Sequence, residues 1–238
     1  MTMPAQDFSL LAHTVASIVT RGSLAFSGLY FGWQFQKLKN TLLAGEWYIL
    51  GVSASFGIVV ALDPAKPIVW LWDYFDAFSR LLGVPLIATV GLMAVTHQVR
   101  LSKWQEVILF TASLIAALLF YTLDITVPIR EPVYLVTCLG FGVYVFTLIR
   151  RVFLADRKWE AWMLIAALAL YFCITPLDHY YFLPNTDAAI LLNDDAVAHV
   201  GWAFLFSAIF FAYRGIAAVD ASVRGHTTAC ASVSGRAD

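Results

Sequence analysis

Two aspartates and an arginine in the segment WLWDYFDAFSR have the spacing of a paired acid site with a fixed cation. Asp73 and Asp76 are three residues apart and Arg80 is four further on, so a helix would place all three on one face. Carboxylates are suited to general acid–base chemistry, and Arg80 and the neighbouring Trp72 are candidate substrate-binding residues. The alternative is an interfacial helix whose charges lie among lipid headgroups, within a belt of aromatic residues.

An acid and a histidine at the start of the last apolar segment form a second candidate pair. Asp195 and His199 are four residues apart, so the carboxylate would orient the imidazole, or both would bind one metal ion. The stretch that ends at Asp195 also favours a helix N-cap, which is the structural alternative for that residue. His199 lies one turn deeper, where an ionisable group is unfavourable, and Trp202 follows it as a candidate substrate-binding residue.

A third group follows a proline at the end of the sixth apolar segment. Asp178 and His179 are adjacent and Tyr180 comes next, so an acid and an imidazole lie in an aromatic setting that favours acid–base chemistry and substrate binding. The alternative for these residues is a turn after the proline. Asp124, in FYTLDITVP at the end of the fourth segment, either lines the same site or only ends its helix.

Arg21 is a cation inside the first apolar segment. A charged residue in the middle of a membrane helix costs about 2.5–3.5 kcal/mol on insertion scales, so Arg21 must reach outwards or find an acid. It would serve either in a structural ion pair or in contact with a substrate. The expected partners are Asp73, Asp76, Asp178 and Asp195.

The composition excludes several classes of protein. The chain has 238 residues, of which 61% are hydrophobic and 13% are charged, and its mean hydropathy is +0.76. Soluble domains have about 25% charged residues. We therefore exclude a soluble globular enzyme, a disordered chain and a nucleic-acid-binding protein with a basic patch. The remaining class is a polytopic membrane protein whose partner is the lipid bilayer.

Seven apolar segments are each long enough to cross a bilayer as a helix. We predict an all-α polytopic membrane protein with seven transmembrane helices. Residues 1–216 would form a single seven-helix domain, and residues 217–238 would form a flexible cytoplasmic tail. The segments are 13–35, 42–62, 79–97, 104–123, 132–149, 160–177 and 196–214.

Lysine and arginine predict the orientation. Most of these residues lie in the connections 36–41, 98–103 and 150–159 and in the tail, whereas the acids and two histidines collect on the other side. By the positive-inside rule, the N-terminus is outside and the C-terminus is cytoplasmic. In a bacterial inner membrane this orientation places the candidate site near the outer leaflet.

Several known chemistries lack their motif in this sequence. The segment 196–214 contains no lysine for a retinal Schiff base, and the chain has no H-E-x-x-H, P-loop or rhomboid-type serine motif. The three cysteines form no C-x-x-C pair.

The chain resembles the small seven-helix integral membrane terpene cyclases in length, in number of spans and in an acid in the second helix. That acid is Glu46 in AGEWYIL. The resemblance implies cyclisation of an isoprenoid substrate without a metal, in a pocket shaped by aromatic residues. From its position one turn inside the second span, Glu46 itself is expected near the cytoplasmic interface, too far from the outer acids to join them.

The order of the outer polar residues is also reminiscent of the alkaline ceramidase superfamily. An acid follows the second span, an Asp ends the sixth, and a pair four residues apart opens the seventh. This resemblance implies a metal-dependent lipid amidase or hydrolase. The implied metal ligands, for zinc or another divalent cation, are Asp63, Asp195 and His199.

The favoured interpretation is a membrane enzyme that acts on an apolar lipid or isoprenoid substrate and needs no cofactor. One buried Asp would be the general acid, and His179 or His199 would be the base. Two other classes stay open, namely a proton- or cation-coupled transporter and a structural membrane subunit. The sequence does not indicate an oligomeric state.

Overall fold

Helices account for nearly all of the backbone that the structure describes. The computed structural model describes the backbone of residues 5–62, 66–99, 101–180 and 194–234 and the side chains of residues 14–62, 67–99, 101–175 and 196–223. These residues contain no β-strand. The helices are α1 (Ala5–Lys37), α2 (Thr41–Leu62), α3 (Lys66–Phe78), a π-helix (Ser79–Ala88), α4 (Thr89–Thr96), α5 (Lys103–Thr122), a 3-10 helix (Asp124–Ile129), α6 (Arg130–Leu154), α7 (Lys158–Tyr180) and α8 (Asp194–Ser234).

Within the described part of the chain, six helical segments are long and apolar enough to cross a membrane, which confirms the predicted class of an all-helical membrane protein. Helix α1, with 33 residues, covers the first predicted segment. The number of seven spans and the orientation stay predictions. The six segments are Thr41–Leu62, Pro67–Thr96, Lys103–Thr122, Asp124–Leu154, Lys158–Thr175 and Ala196–Val223.

The third span is longer than the sequence predicts. The hydropathy pattern places it at 79–97, but α3, the π-helix and α4 form one run from Pro67 to Thr96. Asp73 and Asp76 therefore lie within a long helical segment. The prediction began too late because two carboxylates lower the local hydropathy, although the rest of α3 is mostly apolar and aromatic.

Helices α1 and α2 approach each other at two glycines. A Cβ built on Gly28 would lie 2.5 Å from the backbone nitrogen of Gly51, and one built on Gly51 would lie 2.7 Å from the nitrogen of Leu29. No larger residue fits at either position without a backbone shift. Small residues at a helix crossing are typical of membrane proteins, where close packing replaces the hydrophobic effect as the main attraction between helices.

Aromatic rings fill the core between α1, α2 and α8. Trp47 is fully buried, and its ring centroid lies 5.0 Å from that of Phe35 and 5.1 Å from that of Phe206. Phe35 also meets Phe210 edge-on, with centroids 5.2 Å apart. Such edge-to-face pairs stabilise a core beyond the area that they bury. Helix α8 is the most buried of the six spans and α5 the least, so α5 lies at the periphery of the bundle.

Hydrogen bonds join three helices at the end of the bundle where α1 finishes and α2 begins, which we term the basic end. The Asn40 amide donates from Nδ2 to the Gly91 carbonyl (2.8 Å) and to the Tyr213 hydroxyl (3.1 Å). Its Oδ1 accepts from the Leu43 amide in the first turn of α2. The opposite end carries Asp73 and Asp76, and we term it the acidic end.

Helix α8 does not stop at the boundary predicted for the tail. It continues to Ser234, and Asp220, which lies beyond residue 216, is paired with Arg151 of α6 (3.0 Å). Asp220 also accepts a hydrogen bond from Gln98 (2.8 Å). The first part of the predicted tail is thus attached to the bundle.

Alanine in place of Gly28 is expected to destabilise the protein, whereas alanine in place of Gly22 is not. Both glycines lie in α1, but a Cβ on Gly22 would meet nothing within 4 Å. We expect Gly28→Ala to lower the free energy of unfolding by about 1–3 kcal/mol through overpacking. Gly22→Ala should leave it unchanged or raise it by up to about 1 kcal/mol, because alanine favours helix. Thermal unfolding in detergent, followed by circular dichroism, measures both, and equal melting temperatures would contradict the close approach.

Candidate functional site

A cavity of about 260 Å³ lies among the helices at the acidic end, and we term it the acidic-end cavity. Helices α1, α2, α3, α6 and α8 and the π-helix all contribute to its wall. Charged side chains and aromatic rings occur together in this lining, so a bound molecule would meet both. The described lining residues are Leu24, Leu50, Trp72, Asp73, Asp76, Ser79, Arg80, Val84, Glu131, Tyr134, Ala198, His199, Trp202 and Phe206.

The acid pair and the arginine of the third span share this cavity, as their spacing predicts. Arg80 donates from Nε to Oδ2 of Asp76 at 2.8 Å, one helical turn away. Asp73 accepts a hydrogen bond from the Tyr121 hydroxyl of α5 at 3.3 Å. Only one of the two carboxylates is therefore paired with Arg80, so the two acids have different surroundings. Such a difference separates the roles that two carboxyl groups can take in acid–base chemistry.

Helix α8 contributes a histidine and an aromatic wall. His199 and Trp202 both line the cavity, as does Trp72 of α3. The Trp202 ring stacks on Phe206 with centroids 5.4 Å apart and meets Tyr171 edge-on at 5.0 Å. These contacts hold the indole in a fixed position at the cavity.

Arg21 reaches a carbonyl and an indole. Its Nη1 donates to the Gly57 carbonyl at 2.7 Å, and its guanidinium lies 5.1 Å from the centroid of the Trp72 ring. Asp73 and Asp76 are not among its described contacts, and the side chains of Asp178 and Asp195, the other expected partners, lie outside the described residues. Cation–π attraction and a backbone acceptor satisfy part of the guanidinium in this buried position. Trp72 thereby connects Arg21 to the cavity wall.

The π-helix lies where the third span lines the cavity. In a π-helix each amide N–H donates to the carbonyl five residues earlier, so residue 85 would donate to the Arg80 carbonyl. Pro85 has no N–H, and this hydrogen bond is therefore missing. The Arg80 carbonyl accepts instead from Thr137 Oγ1 at 2.9 Å and from the Cys138 thiol at 3.8 Å. Helix α6 thus replaces the missing bond, and this irregular segment places Ser79 and Val84 on the cavity wall.

Glu46 is buried between α2 and the π-helix, next to the cavity but not in its described lining. Its expected place near the cytoplasmic interface stays a prediction. It is 0% exposed, and its carboxyl lies beside the Ser79 hydroxyl, which lines the cavity. Neither Glu46 oxygen nor the Ser79 hydroxyl has a hydrogen-bond partner with good geometry among the described residues. Gly83 leaves the room for this carboxyl, since a Cβ there would lie 2.5 Å from Glu46 Oε1.

The prediction from sequence passed over Glu46 as a member of the site because position along the helix was the only guide. The side chain points from the first turns of α2 towards the π-helix, and that direction depends on how the two helices pack. The available signal was an acid in an otherwise apolar span, since ionisable groups at that depth are rare without a function. Tyr134 of α6, which does line the cavity, is another residue that the sequence did not single out.

The remaining predicted site residues either lie away from the cavity or have side chains outside the described residues. Asp124 is exposed at the start of the 3-10 helix and does not line it. The backbone of Asp178, His179 and Tyr180 forms the end of α7, but their side chains lie outside the described residues. Asp63 lies outside them entirely.

The hypothesis of a metal-dependent hydrolase also depends on side chains that lie outside the described residues. Of the implied ligands Asp63, Asp195 and His199, only the His199 side chain is described. Within the described part of the chain, no three His, Cys, Asp or Glu side chains come together in a way that would hold a metal ion.

Comparison of the chain with known protein families, curated protein sequences and solved structures finds no match. The class supported by the fold is a helical membrane protein with a polar cavity between its helices. Its function is therefore inferred from the residues of the cavity and their geometry.

A double-mutant cycle tests the place of the Glu46 carboxyl. Gly83→Ala should destabilise the protein by about 1–3 kcal/mol, because the new methyl group takes the space of the carboxyl. In a Glu46→Ala background the same change should cost much less, with a coupling of at least about 0.5 kcal/mol. Unfolding of the four proteins in detergent gives the coupling, and additive effects would show that the two residues do not touch.

Proposed function

We propose that this chain is an integral membrane enzyme that acts on a lipid or isoprenoid substrate by acid–base chemistry. One observation carries the proposal: the fully buried Glu46 carboxyl, without a hydrogen-bond partner among the described residues, lies beside a cavity lined by Asp73, Asp76 and His199. A protein that only needs to be stable gains nothing from such a carboxyl, because its burial is unfavourable. Its presence next to a cavity is explained if a substrate uses it.

Glu46 is the proposed general acid. None of the ion pairs of the described residues involves it, and a carboxyl without a counter-ion in an apolar setting is least unfavourable in its neutral form. A neutral carboxyl that makes no hydrogen bond can donate its proton to a substrate. Ser79, which lies between Glu46 and the cavity, is placed to orient the carboxyl or to pass the proton on.

The rest of the lining supports a substrate with a long apolar part. Trp72, Trp202 and Phe206 present aromatic rings, and Leu50 and Val84 add aliphatic surface. Aromatic faces attract positive charge, so the same walls would stabilise a carbocation formed when a double bond or epoxide takes up a proton.

The proposed reaction is an isomerisation or cyclisation that consumes no second reactant. Glu46 gives its proton to a double bond or epoxide of the isoprenoid, and the π-electrons of a further double bond form the new carbon–carbon bond. His199 or Asp73 then takes a proton from carbon to leave an alkene, and proton exchange with solvent restores both groups. Atoms and charge balance without a metal or an organic cofactor.

The predicted orientation suggests a place for this chemistry in the membrane. We propose that α1 is the first of seven spans, with the N-terminus outside and the basic end in the cytoplasm of a bacterial cell. The acidic-end cavity would then lie near the outer leaflet of the inner membrane. Its substrate would enter from the bilayer rather than from water.

The test is turnover by the purified full-length protein in mixed micelles. The probes are geranylgeraniol, its terminal epoxide and a ceramide, and mass spectrometry detects any product. We expect an isomer of one of the isoprenoid probes, formed at a rate that falls about 100-fold or more in Glu46→Gln, because general acid–base catalysis contributes 10²–10⁴-fold. Asp73→Asn and His199→Ala should also lower the rate.

Asp156→Asn is the matched control for this experiment. Asp156 is an exposed acid at the basic end with φ 55°, a backbone conformation that asparagine also tolerates, so its variant should keep the wild-type rate. Full activity in Glu46→Gln, Asp73→Asn, Asp178→Asn and His199→Ala together would refute the assigned site. Release of a fatty acid from ceramide that stops on chelation would establish the metal-dependent hydrolase instead.

A further inference from the structure

A second cavity, of about 450 Å³, lies at the basic end between the α1–α2 connection, α4 and the start of α5. Two exposed lysines from different parts of the chain line it, Lys39 and Lys103. Neither lysine takes part in an ion pair among the described residues. Two of the three described ion pairs at this end involve an arginine. The cavity is thus bordered by two positive charges that the described acids do not neutralise through ion pairs.

Lys39 occupies a position at which glycine is the preferred residue. Its φ is 58°, and the amides of Lys39 and Asn40 bond the carbonyls of Gln36 and Phe35, which is the Schellman ending of a helix. A side chain in this left-handed conformation is unfavourable compared with glycine. The turn itself does not require a lysine, so the Lys39 side chain is available to a ligand in the cavity.

A buried hydroxyl adds a hydrogen-bond donor to the same cavity. Tyr213 is 4% exposed and lines the cavity, and its hydroxyl oxygen accepts from Asn40 Nδ2 at 3.1 Å. No acceptor for the Tyr213 proton is found among the described residues. The hydroxyl can therefore donate to an anion that lies between the two lysines.

An apolar groove of about 280 Å³ begins where this cavity ends. Thr41, Leu42 and Glu106 line both spaces, so the two are adjacent. From there the groove follows α2 and α5, with Gly45 and Phe110 in its wall. Helix α5 is the least buried span, so this groove faces the hydrocarbon of the membrane.

We propose that the cavity and groove together bind an acidic phospholipid, with the phosphate between Lys39 and Lys103 and one acyl chain in the groove. The lining carries two lysines and one acid, Glu106, so a headgroup with a single negative charge balances it. Glu106 also lines the cavity and can accept a hydrogen bond from a ligand that carries a donor. Phosphatidylglycerol meets both conditions, since it is a monoanion with two hydroxyls.

This site lies at the opposite end of the bundle from the acidic-end cavity and does not depend on the proposed enzymatic function. Helices α1, α2, α4, α5 and α8 all contribute to this cavity, so a bound lipid would hold α5 against the rest of the bundle. The occupant is expected to act as a structural or regulatory ligand, because the described lining brings no histidine and only one acid to this cavity.

Native mass spectrometry of the delipidated full-length protein, titrated with dioleoylphosphatidylglycerol, measures the binding. We expect Lys39→Gln and Lys103→Gln each to weaken binding about fivefold, as expected for one lysine at an anionic lipid. Lys37→Gln is the matched control, because Lys37 is nearby but lies over the Trp33 ring, outside the cavity. Lys39→Gly separates binding from folding, since it should lose the same affinity while its melting temperature stays equal or rises.

Titration with other ligands shows whether the site recognises a phospholipid or a free phosphate. Dioleoylphosphatidylcholine and dioleoylphosphatidylethanolamine should bind more weakly than the glycerol lipid, and inorganic phosphate should not compete with it. Equal binding of the three lipids would overturn the charge argument, and full competition by phosphate would reduce the site to one for a small anion. An equal loss in Lys37→Gln would mean that only the general positive charge of the surface attracts lipid.

Discussion

The need of every polar group for a partner inside an apolar bundle explains much of this structure. A backbone or side-chain group in hydrocarbon cannot turn to water, so it must find its partner in the protein. Arg21 meets this need through the Gly57 carbonyl and the Trp72 ring, and the Arg80 carbonyl meets it through Thr137. The Glu46 carboxyl, beside the acidic-end cavity, has no partner of good hydrogen-bond geometry among the described residues, although the Ser79 hydroxyl lies next to it.

Close approach of the helices makes these partnerships possible. Gly28 and Gly51 bring α1 and α2 within backbone contact, and Gly83 lets the Glu46 carboxyl lie against the π-helix. A methyl group at any of these positions would separate elements that now share polar contacts. The glycines therefore act through the space that their missing side chains leave. The π-helix around Pro85 lies at the same depth as the cavity and contributes to its wall.

The two ends of the bundle hold cavities of opposite character. At the acidic end, carboxylates, an arginine and a histidine are joined by aromatic walls, which favours chemistry on an apolar molecule. At the basic end, two lysines border a polar space that lies next to a groove on the lipid-facing helix α5, which favours retention of a membrane lipid. In the proposed membrane enzyme, the first cavity would hold the reacting substrate and the second would hold a lipid that stabilises the packing of α5.

The sequence by itself determined the class of protein and part of the site. Hydropathy and length require membrane helices, and the spacing of Asp73, Asp76 and Arg80 places them on one face, because both properties are local along a helix. Only the tertiary structure decided that Asp124 stays outside the cavity and that Glu46 lies beside it. Which residues of different helices meet depends on the rotation and depth of each helix, and these are set by packing at contacts such as Gly28–Gly51 rather than by any single segment.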